Sequence, residues 1–233
     1  MYKTIGIIGG MGPKATCDLM EKIIASTYAE NDQEHIHICV DCNTNIPDRT
    51  KTIVDHGKNP IPEMVKSGIR LESMGANLLI MPCNTAHYFY DELIKYLDVP
   101  FLNMPLETGK YLKKKGVKKV GILATDGTVQ SKIYDKPLMK QGIEIVYPSS
   151  ENQKSVMSLI YDCVKSHHKD YSEVPIGKVV QELLDKGAEK IILACTELPI
   201  AFRDLGIDQN CVDPTLILAQ SAVEFAGARV VEQ

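Results

Sequence analysis

The 233-residue chain contains no long apolar segment. Its longest apolar runs, such as residues 78–81 and 191–194, fall far short of the roughly 18 residues that a membrane-spanning helix needs. A surplus of charge is also missing, because 26 basic side chains stand against 30 acidic ones and the formal net charge is −4. Such a balance offers no general attraction for nucleic acid. We therefore expect a protein that neither inserts into a membrane nor binds nucleic acid.

Cysteine spacing of the secreted, disulfide-rich kind is absent as well. The seven cysteines are an odd number and are scattered along the chain. The first residues lead directly into a short apolar strand and lack the features of a signal peptide. A chain of this length buries a sizeable core, so it needs no disulfide and no structural metal for stability. We expect a reduced, cytoplasmic protein.

Short apolar runs alternate with longer segments of helical periodicity along nearly the whole chain. This alternation is typical of βαβ units and predicts an α/β protein with mainly parallel sheets flanked by helices. The predicted strands cover residues 4–8, 36–41, 78–82, 118–124, 143–146 and 190–194. Asp213, Pro214 and Thr215 have the N-cap and the first-turn proline of a final helix.

The chain also matches itself. Residues 75–85 align without gaps on residues 187–197, and residues 5–8, which precede a Gly-containing turn, align on residues 120–123. The repeat predicts two pseudo-symmetric α/β lobes with an active site between them. We place the first lobe at residues 1–103, with residues 213–233 packing back on it as its final helix. The second lobe covers residues 104–212.

Cys83 and Cys195 occupy equivalent positions in the two repeats. Each follows the carboxyl end of a predicted strand and precedes a predicted helix, at the edge where open α/β sheets place their ligands. If related lobes face each other, the two sulfurs approach one small molecule from opposite sides. The partial positive charge of a helix N-terminus favours the thiolate form of a cysteine. A single buried cysteine is common in proteins, but the pair predicts a shared catalytic site.

Three segments resemble the aspartate/glutamate racemase family, and its aspartate racemase branch in particular. They read GGMGP at residues 9–13, PCNTAH at residues 82–87 and ACTELP at residues 194–199. The resemblance implies a cofactor-independent racemase that acts on a small acidic amino acid. One cysteine thiolate would remove the Cα proton while the opposite thiol donates a proton to the other face. It also implies a homodimer, because related racemases are often dimers.

The resemblance further implies the residues that hold the substrate. Arg49 and Lys165 match cations that bind the acidic substrate, and a guanidinium can grip a carboxylate with two hydrogen bonds. Glu197 stands where glutamate racemases usually have histidine, which favours the aspartate branch, and Ala194 replaces a common glycine. Hydroxyls and amides beside the sulfurs and in the first turn of each lobe can bind carboxylate oxygens. The full substrate-binding set is Met11, Gly12, Arg49, Asn84, Thr85, Thr125, Thr128, Lys165, Thr196 and Glu197. Aspartate is the predicted substrate, with glutamate, one methylene longer, as an open alternative.

Two other functions stay open from the residues alone. Residues 10–15 fit the pattern G-x-G-x-x-A between a predicted strand and a predicted helix, and Asp41 ends the next strand. This pattern is found in NAD-dependent oxidoreductases, although a single match is weak. The second alternative is a two-lobed amino-acid sensor that closes on its ligand without turnover. Such a sensor has no need of two symmetrical thiols.

Polar side chains along the second predicted strand superficially resemble a metal cluster, namely His35, His37, Cys39, Asp41 and Cys42. No second ligand pair follows at zinc-finger spacing, so we expect a packed strand and no metal site. The remaining candidates are histidines. His87, His167 and His168 are predicted to be solvent-exposed or capping residues and not catalysts, although His87 lies near the predicted site.

Overall fold

Two parallel β-sheets covered by helices make up the computed structural model, which describes residues 2–166, 174–207 and 210–231. The predicted α/β class with two parallel sheets is therefore confirmed. None of the helices in these ranges has the length and apolar character needed to span a membrane.

The first sheet has the strand order β2-β1-β3 and all of its strands are parallel. Its strands are β1 (Ile5–Gly9), β2 (Ile38–Cys42) and β3 (Leu78–Ile80). Every residue of β1 is buried, as the central strand of a sheet with helices on both faces requires. The accompanying helices are α1 (Pro13–Ser26), α2 (Arg49–Val54), α3 (Ile61–Ser73) and α4 (Tyr90–Leu93), with short 3₁₀ helices at Asp32–Glu34 and Thr85–Phe89.

The second sheet has the strand order β5-β4-β6-β7 and is also entirely parallel. Its strands are β4 (Lys119–Ala124), β5 (Glu144–Val146), β6 (Lys190–Ala194) and β7 (Cys211–Val212). The helices from here on are α5 (Met104–Lys114), α6 (Asp126–Ser131), α7 (Asp135–Met139), α8 (Ser150–Ser158), α9 (Ile176–Asp185), α10 (Leu198–Leu205) and α11 (Pro214–Ala226). A π-helix at Leu159–Lys165 continues α8.

The internal repeat appears in the pairing of the strands. β1 lies between β2 and β3, and β4 lies between β5 and β6 in the same arrangement. Because Cys83 follows β3 and Cys195 follows β6, the two cysteines occupy the same place relative to their sheets. The differences from prediction are small: β3 ends at Ile80, and the two-residue β7 was not predicted.

The final helix begins as its sequence indicates. The side chain of Asp213 accepts a hydrogen bond from the backbone N–H of Thr215 at 2.8 Å, with Pro214 in the first turn. Leu218 and Val223 of α11 are completely buried in the core that also contains Ile5 of β1. Burial of each such side chain stabilises the fold by about 1.5–3 kcal/mol. The division at residues 103/104 and 212/213 stays a prediction.

Candidate active site

A cavity of about 320 Å³ lies between residues of the two predicted lobes. Both Cys83 and Cys195 line it, and each is only 7% exposed. The first lobe contributes Met11, Asp48, Arg49, Thr50, Cys83, Asn84 and Thr85, and the second contributes Thr125, Tyr161, Lys165, Cys195, Thr196 and Glu197. The cavity is therefore built from the ends of several strands, as expected for an α/β protein.

The structure brings together every predicted site residue except Gly12 and Thr128. Gly12 lines a neighbouring cavity, and Thr128 is buried behind the cavity wall. Asp48, Thr50 and Tyr161 also line the cavity, although the sequence did not point to them. Asp48 and Thr50 flank Arg49 in the chain, and Tyr161 lies one helical turn before Lys165. Their nearness to predicted residues is the only sequence signal that could have found them.

Gly10 shapes the turn that leads from β1 to Met11. Its φ of +90° lies in the left-handed region, and a Cβ at this position would lie 2.3 Å from the backbone of Asn43. A residue with a side chain would therefore push the turn away from its neighbour. Glycine at this position lets Met11 reach the cavity.

Cys195 lies in a negatively charged environment. Its Sγ donates a hydrogen bond to Oε2 of Glu197 at 2.9 Å, and the Thr196 hydroxyl donates to the same oxygen at 3.1 Å. Burial raises the pKa of Cys195 well above its ordinary value, and the Glu197 carboxylate raises it further. Both effects oppose the thiolate form that the N-terminus of a following helix favours. Loss of solvent and an adjacent anion outweigh the partial charge of α10.

Cys83 lies beside a cation instead. The Nη1 atom of Arg49 donates to the backbone oxygens of Pro47 at 2.9 Å and Ile46 at 3.3 Å, which fixes the guanidinium at the start of α2. Burial is the largest single influence on the pKa of Arg49 and lowers it, but Cys83, Asp48 and Tyr161 together raise it and the net shift is upward. Arg49 is therefore always charged. The helix that follows Cys83 is only the short 3₁₀ helix Thr85–Phe89, so Arg49 is the stronger source of positive charge.

Lys165 brings a second cation to the cavity. It ends the π-helix, and its Nζ lies 4.2 Å from the ring centroid of Tyr161. Burial is the largest single influence on the pKa of Lys165 and lowers it, but the surrounding groups, Glu197 first among them, together raise it and the net shift is upward. π-helices are rare and occur frequently at functional sites. Here the π-helix presents Tyr161 and Lys165 to the same cavity.

Three threonine hydroxyls next to the cavity form hydrogen bonds between the two predicted lobes. Oγ1 of Thr85 lies 3.0 Å from Oγ1 of Thr125 and 2.9 Å from Oγ1 of Thr128. Thr85 follows Cys83, whereas Thr125 and Thr128 belong to the first turn of the second lobe. Thr128 thus contacts Thr85 and Thr125, which line the cavity, but does not line the cavity itself.

Asp41 of the metal-like pattern and the candidate His87 each have a structural partner. Asp41 forms an ion pair with Arg70 at 3.1 Å, and across the part of the chain that the structure describes, no group of three or more His, Cys, Asp or Glu side chains could hold a metal ion. His87 is buried, so of the two predicted roles, solvent-exposed or capping residue, solvent exposure is wrong for it. Its Nδ1 donates to the Cys83 carbonyl at 2.9 Å, and burial lowers its pKa to about 4. His167 and His168 lie outside the described residues.

Comparison with known proteins agrees with this geometry. The Asp/Glu/Hydantoin racemase family matches residues 8–222 of the chain. The broad specificity amino-acid racemase RacX of Bacillus subtilis (strain 168) is 31% identical over 94% of this chain and 96% of its own length. The solved structure of Picrophilus torridus aspartate racemase is 33% identical, with a TM-score of 0.84 over 98% of this chain and 96% of that one. An aspartate racemase homologue from Pyrococcus horikoshii OT3 shares the fold, with a TM-score of 0.79 over 97% of this chain and 100% of that one at 24% identity.

These relatives are isomerases of amino acids. They favour neither an NAD-dependent oxidoreductase nor a sensor without turnover, the two alternatives that the residues alone left open. The family match spans both cysteines and the strands that carry them. The chain belongs to the Asp/Glu/Hydantoin racemase family.

Proposed function

We propose that this racemase interconverts L- and D-aspartate without a cofactor, and that Cys83 and Cys195 exchange protons with the two faces of Cα. The observation that carries the proposal is that both cysteines line one cavity together with Arg49 and Lys165. Two cations in a small, mostly buried cavity suit a dicarboxylate, because an unpaired charge is costly to bury. The similarity to Picrophilus torridus aspartate racemase supports the same substrate.

The proton transfers follow from the charges around the sulfurs. In one direction, the Cys83 thiolate takes the proton from Cα, and the electron pair of the broken C–H bond is left on the substrate. The Cys195 thiol then gives its proton to the opposite face of Cα, so Cys83 becomes the thiol and Cys195 the thiolate. Reaction of the other enantiomer reverses each step. The raised pKa of Cys195 and the position of Arg49 beside Cys83 support this starting state.

Removal of the Cα proton places negative charge on the substrate carboxylate. Donors already fixed around the cavity stabilise such charge because they need no reorganisation during the reaction. Arg49 and Lys165 supply full positive charge, and the hydroxyls of Thr85 and Thr125 supply dipoles. A turnover of about 10 per second requires a barrier of about 16 kcal/mol, so stabilisation of this carbanion is the main task of the site.

Glu197 has a proposed role in the reverse direction. Cys195 must then reach the thiolate form, although burial and the Glu197 charge oppose it. The carboxylate of Glu197 accepts the hydrogen bond from Sγ at 2.9 Å, so it can take the thiol proton itself. We therefore assign proton exchange with Cys195 to Glu197, in addition to the substrate contact predicted from the family.

A wider substrate range is the second candidate. A neighbouring cavity of about 690 Å³ shares Lys165, Thr196 and Glu197 with the first, and apolar groups of Ala15 and Ile200 line it. A side chain longer than that of aspartate could extend past the shared residues into this space. RacX is named a broad specificity amino-acid racemase, which supports the same interpretation. Glutamate and larger amino acids are the substrates to compare.

The test is a panel of L-amino acids incubated with the protein and analysed for D-enantiomers by chiral chromatography. We expect D-aspartate after dialysis against EDTA and hydroxylamine, with nothing added. Activity that requires pyridoxal phosphate or a metal would contradict the cofactor-independent mechanism. Formation of D-enantiomers only from larger amino acids would replace aspartate with the second candidate.

We also propose a homodimer in the cytoplasm. Exposed apolar side chains recur along one side of α1 and just beyond it, at Met20, Ile24 and Tyr28, as expected for a surface that another copy covers. Cys17, Cys39, Cys42, Cys83 and Cys195 are free thiols, in agreement with a reducing compartment. Light scattering at several concentrations tests the dimer, and a monomer at micromolar concentration would contradict it.

A further inference from the structure

Tyr134 lies outside the cavity but contacts one of its residues. Its hydroxyl donates a hydrogen bond to Oδ1 of Asn84. Tyr134 belongs to the core of the second lobe and is 1% exposed, whereas Asn84 follows Cys83 in the first lobe and is 2% exposed. The bond therefore joins the two lobes at a place that water does not reach.

This hydrogen bond determines the orientation of the Asn84 amide. An amide has an acceptor oxygen at one side and a two-hydrogen donor nitrogen at the other, and a half-turn exchanges them. Because Tyr134 binds the oxygen, the nitrogen is left for another partner. Nδ2 of Asn84 is buried and has no hydrogen-bond partner among residues 2–166, 174–207 and 210–231.

An unpaired buried donor is unusual and costs about 1–3 kcal/mol. Asn84 lines the same cavity as the two cysteines. A ligand bound in that cavity can accept the hydrogen bond from Nδ2 and so offset the energetic cost of the unpaired donor. The substrate of the proposed reaction carries carboxylate oxygens, which accept hydrogen bonds. A donor at this position would also help to stabilise the charge that forms when Cα loses its proton.

We infer that Tyr134 is a positioning residue: it holds the Asn84 amide with Nδ2 available to a carboxylate oxygen of the substrate. The inference rests on the proposed function, because it takes an amino acid as the ligand. Burial raises the pKa of Tyr134 well above its ordinary value, so its hydroxyl stays a donor throughout the working pH range.

Tyr134→Phe removes the hydroxyl and keeps the ring that packs in the core. We expect kcat/KM for L-aspartate to fall about tenfold or more, mostly through KM, because a hydrogen bond to a charged group is lost or weakened. Tyr147→Phe is the matched control. Tyr147 lies in the same lobe, and its hydroxyl donates to Asp135 at 2.6 Å, away from the cavity. Its kcat/KM should stay within about twofold of the unmodified protein.

A double-mutant cycle separates positioning from a general loss of stability. In an Asn84→Ala background, Tyr134→Phe should cause little further loss of kcat/KM, because the amide through which it acts is gone. A second tenfold loss in that background would overturn the inference. Asn84→Asp provides a test that leaves the tyrosine in place. It keeps an acceptor for the Tyr134 hydroxyl but replaces the donor with a buried carboxylate, so KM should rise, and an unchanged KM would also overturn the inference.

Failure of the proposed function is distinguishable from failure of this inference. If the unmodified protein forms no D-aspartate, the proposed function is wrong. Calorimetric binding of L-aspartate to the same variants then tests the hydrogen bond without catalysis. Weaker binding to Tyr134→Phe than to Tyr147→Phe supports the inference, whereas equal affinity, or no binding at all, overturns it.

Discussion

Arg49 is the residue whose replacement tests the proposed site most directly. Its guanidinium is fixed by the backbone oxygens of Ile46 and Pro47 and lies beside Cys83, so it is already oriented before substrate binds. In Arg49→Leu, a substrate carboxylate would be buried without this partner. Loss of a charge partner in a closed site costs about 2–4 kcal/mol. At about 1.4 kcal/mol per factor of ten, kcat/KM for L-aspartate should fall roughly 30- to 1,000-fold.

The assay is the initial rate of D-aspartate formation, followed by chiral chromatography over a range of L-aspartate concentrations. Arg70→Leu is the matched control, because Arg70 is exposed and pairs with Asp41 at 3.1 Å on the surface. Its kcat/KM should stay within about twofold of the unmodified protein, since exposed ion pairs contribute little. Arg49→Lys keeps the positive charge but cannot donate two parallel hydrogen bonds to one carboxylate. Its activity should therefore lie between those of Arg49→Leu and the unmodified protein.

Two results would refute the reasoning about Arg49. One is a folded Arg49→Leu protein whose kcat/KM lies within about threefold of the unmodified value. The other is an equal loss in Arg70→Leu, because the effect would then be a general response to the removal of an arginine. Circular dichroism and thermal unfolding establish that each variant is folded.

The other predictions concern the cysteines, Glu197 and His87. Cys83→Ala and Cys195→Ala should each keep less than about a tenth of the racemase activity, and a more active alanine variant contradicts the pair mechanism. Turnover of the unmodified protein in heavy water should place deuterium in the product enantiomer, while the recovered substrate stays mostly protiated. Glu197→Gln should lower the pKa of Cys195. As the pH rises, the variant should therefore lose activity in the direction that uses the Cys195 thiol at a lower pH than the unmodified protein does; an unchanged pH profile contradicts the role of Glu197. His87 should make the protein less stable in acid, because the unfolded state binds a proton below pH 6.5 whereas the folded state does so only near its pKa of about 4. The free energy of unfolding should lose about 3 kcal/mol over that interval, and His87→Gln should show a weaker pH dependence in chemical denaturation.

The two halves of the site are symmetric in backbone and asymmetric in charge. The repeat aligns Asn84 with Thr196 and Thr85 with Glu197, so the residues after each cysteine differ in type. As a result, Cys195 lies beside an anion, whereas Cys83 lies beside the cation Arg49. The two sulfurs therefore lie in environments of opposite charge, which the matching positions in the sequence do not reveal.

Periodicity and local turn signals predicted most of the fold. The alternation of apolar runs and helical segments predicted β1 to β6 to within a few residues, most clearly for the inner strands β1, β4 and β6, which are apolar because they are buried on both faces. The capping residues of α11 were recognised because Asp213 bonds to a backbone group only two residues away. β7 was missed, since a strand of two residues leaves no pattern.

The sequence by itself determined the α/β class, the internal repeat and the equivalence of Cys83 and Cys195, because these depend on local periodicity and on comparison of the chain with itself. Only the tertiary structure revealed the contact between Tyr134 and Asn84, which are fifty residues apart in the chain. It also revealed the surroundings that raise the pKa of Cys195 and the burial of His87. A pKa depends on solvent exclusion and on charges that reach the group from distant parts of the chain. Such contacts exist only when the chain is folded, so residue types and spacing alone do not determine them.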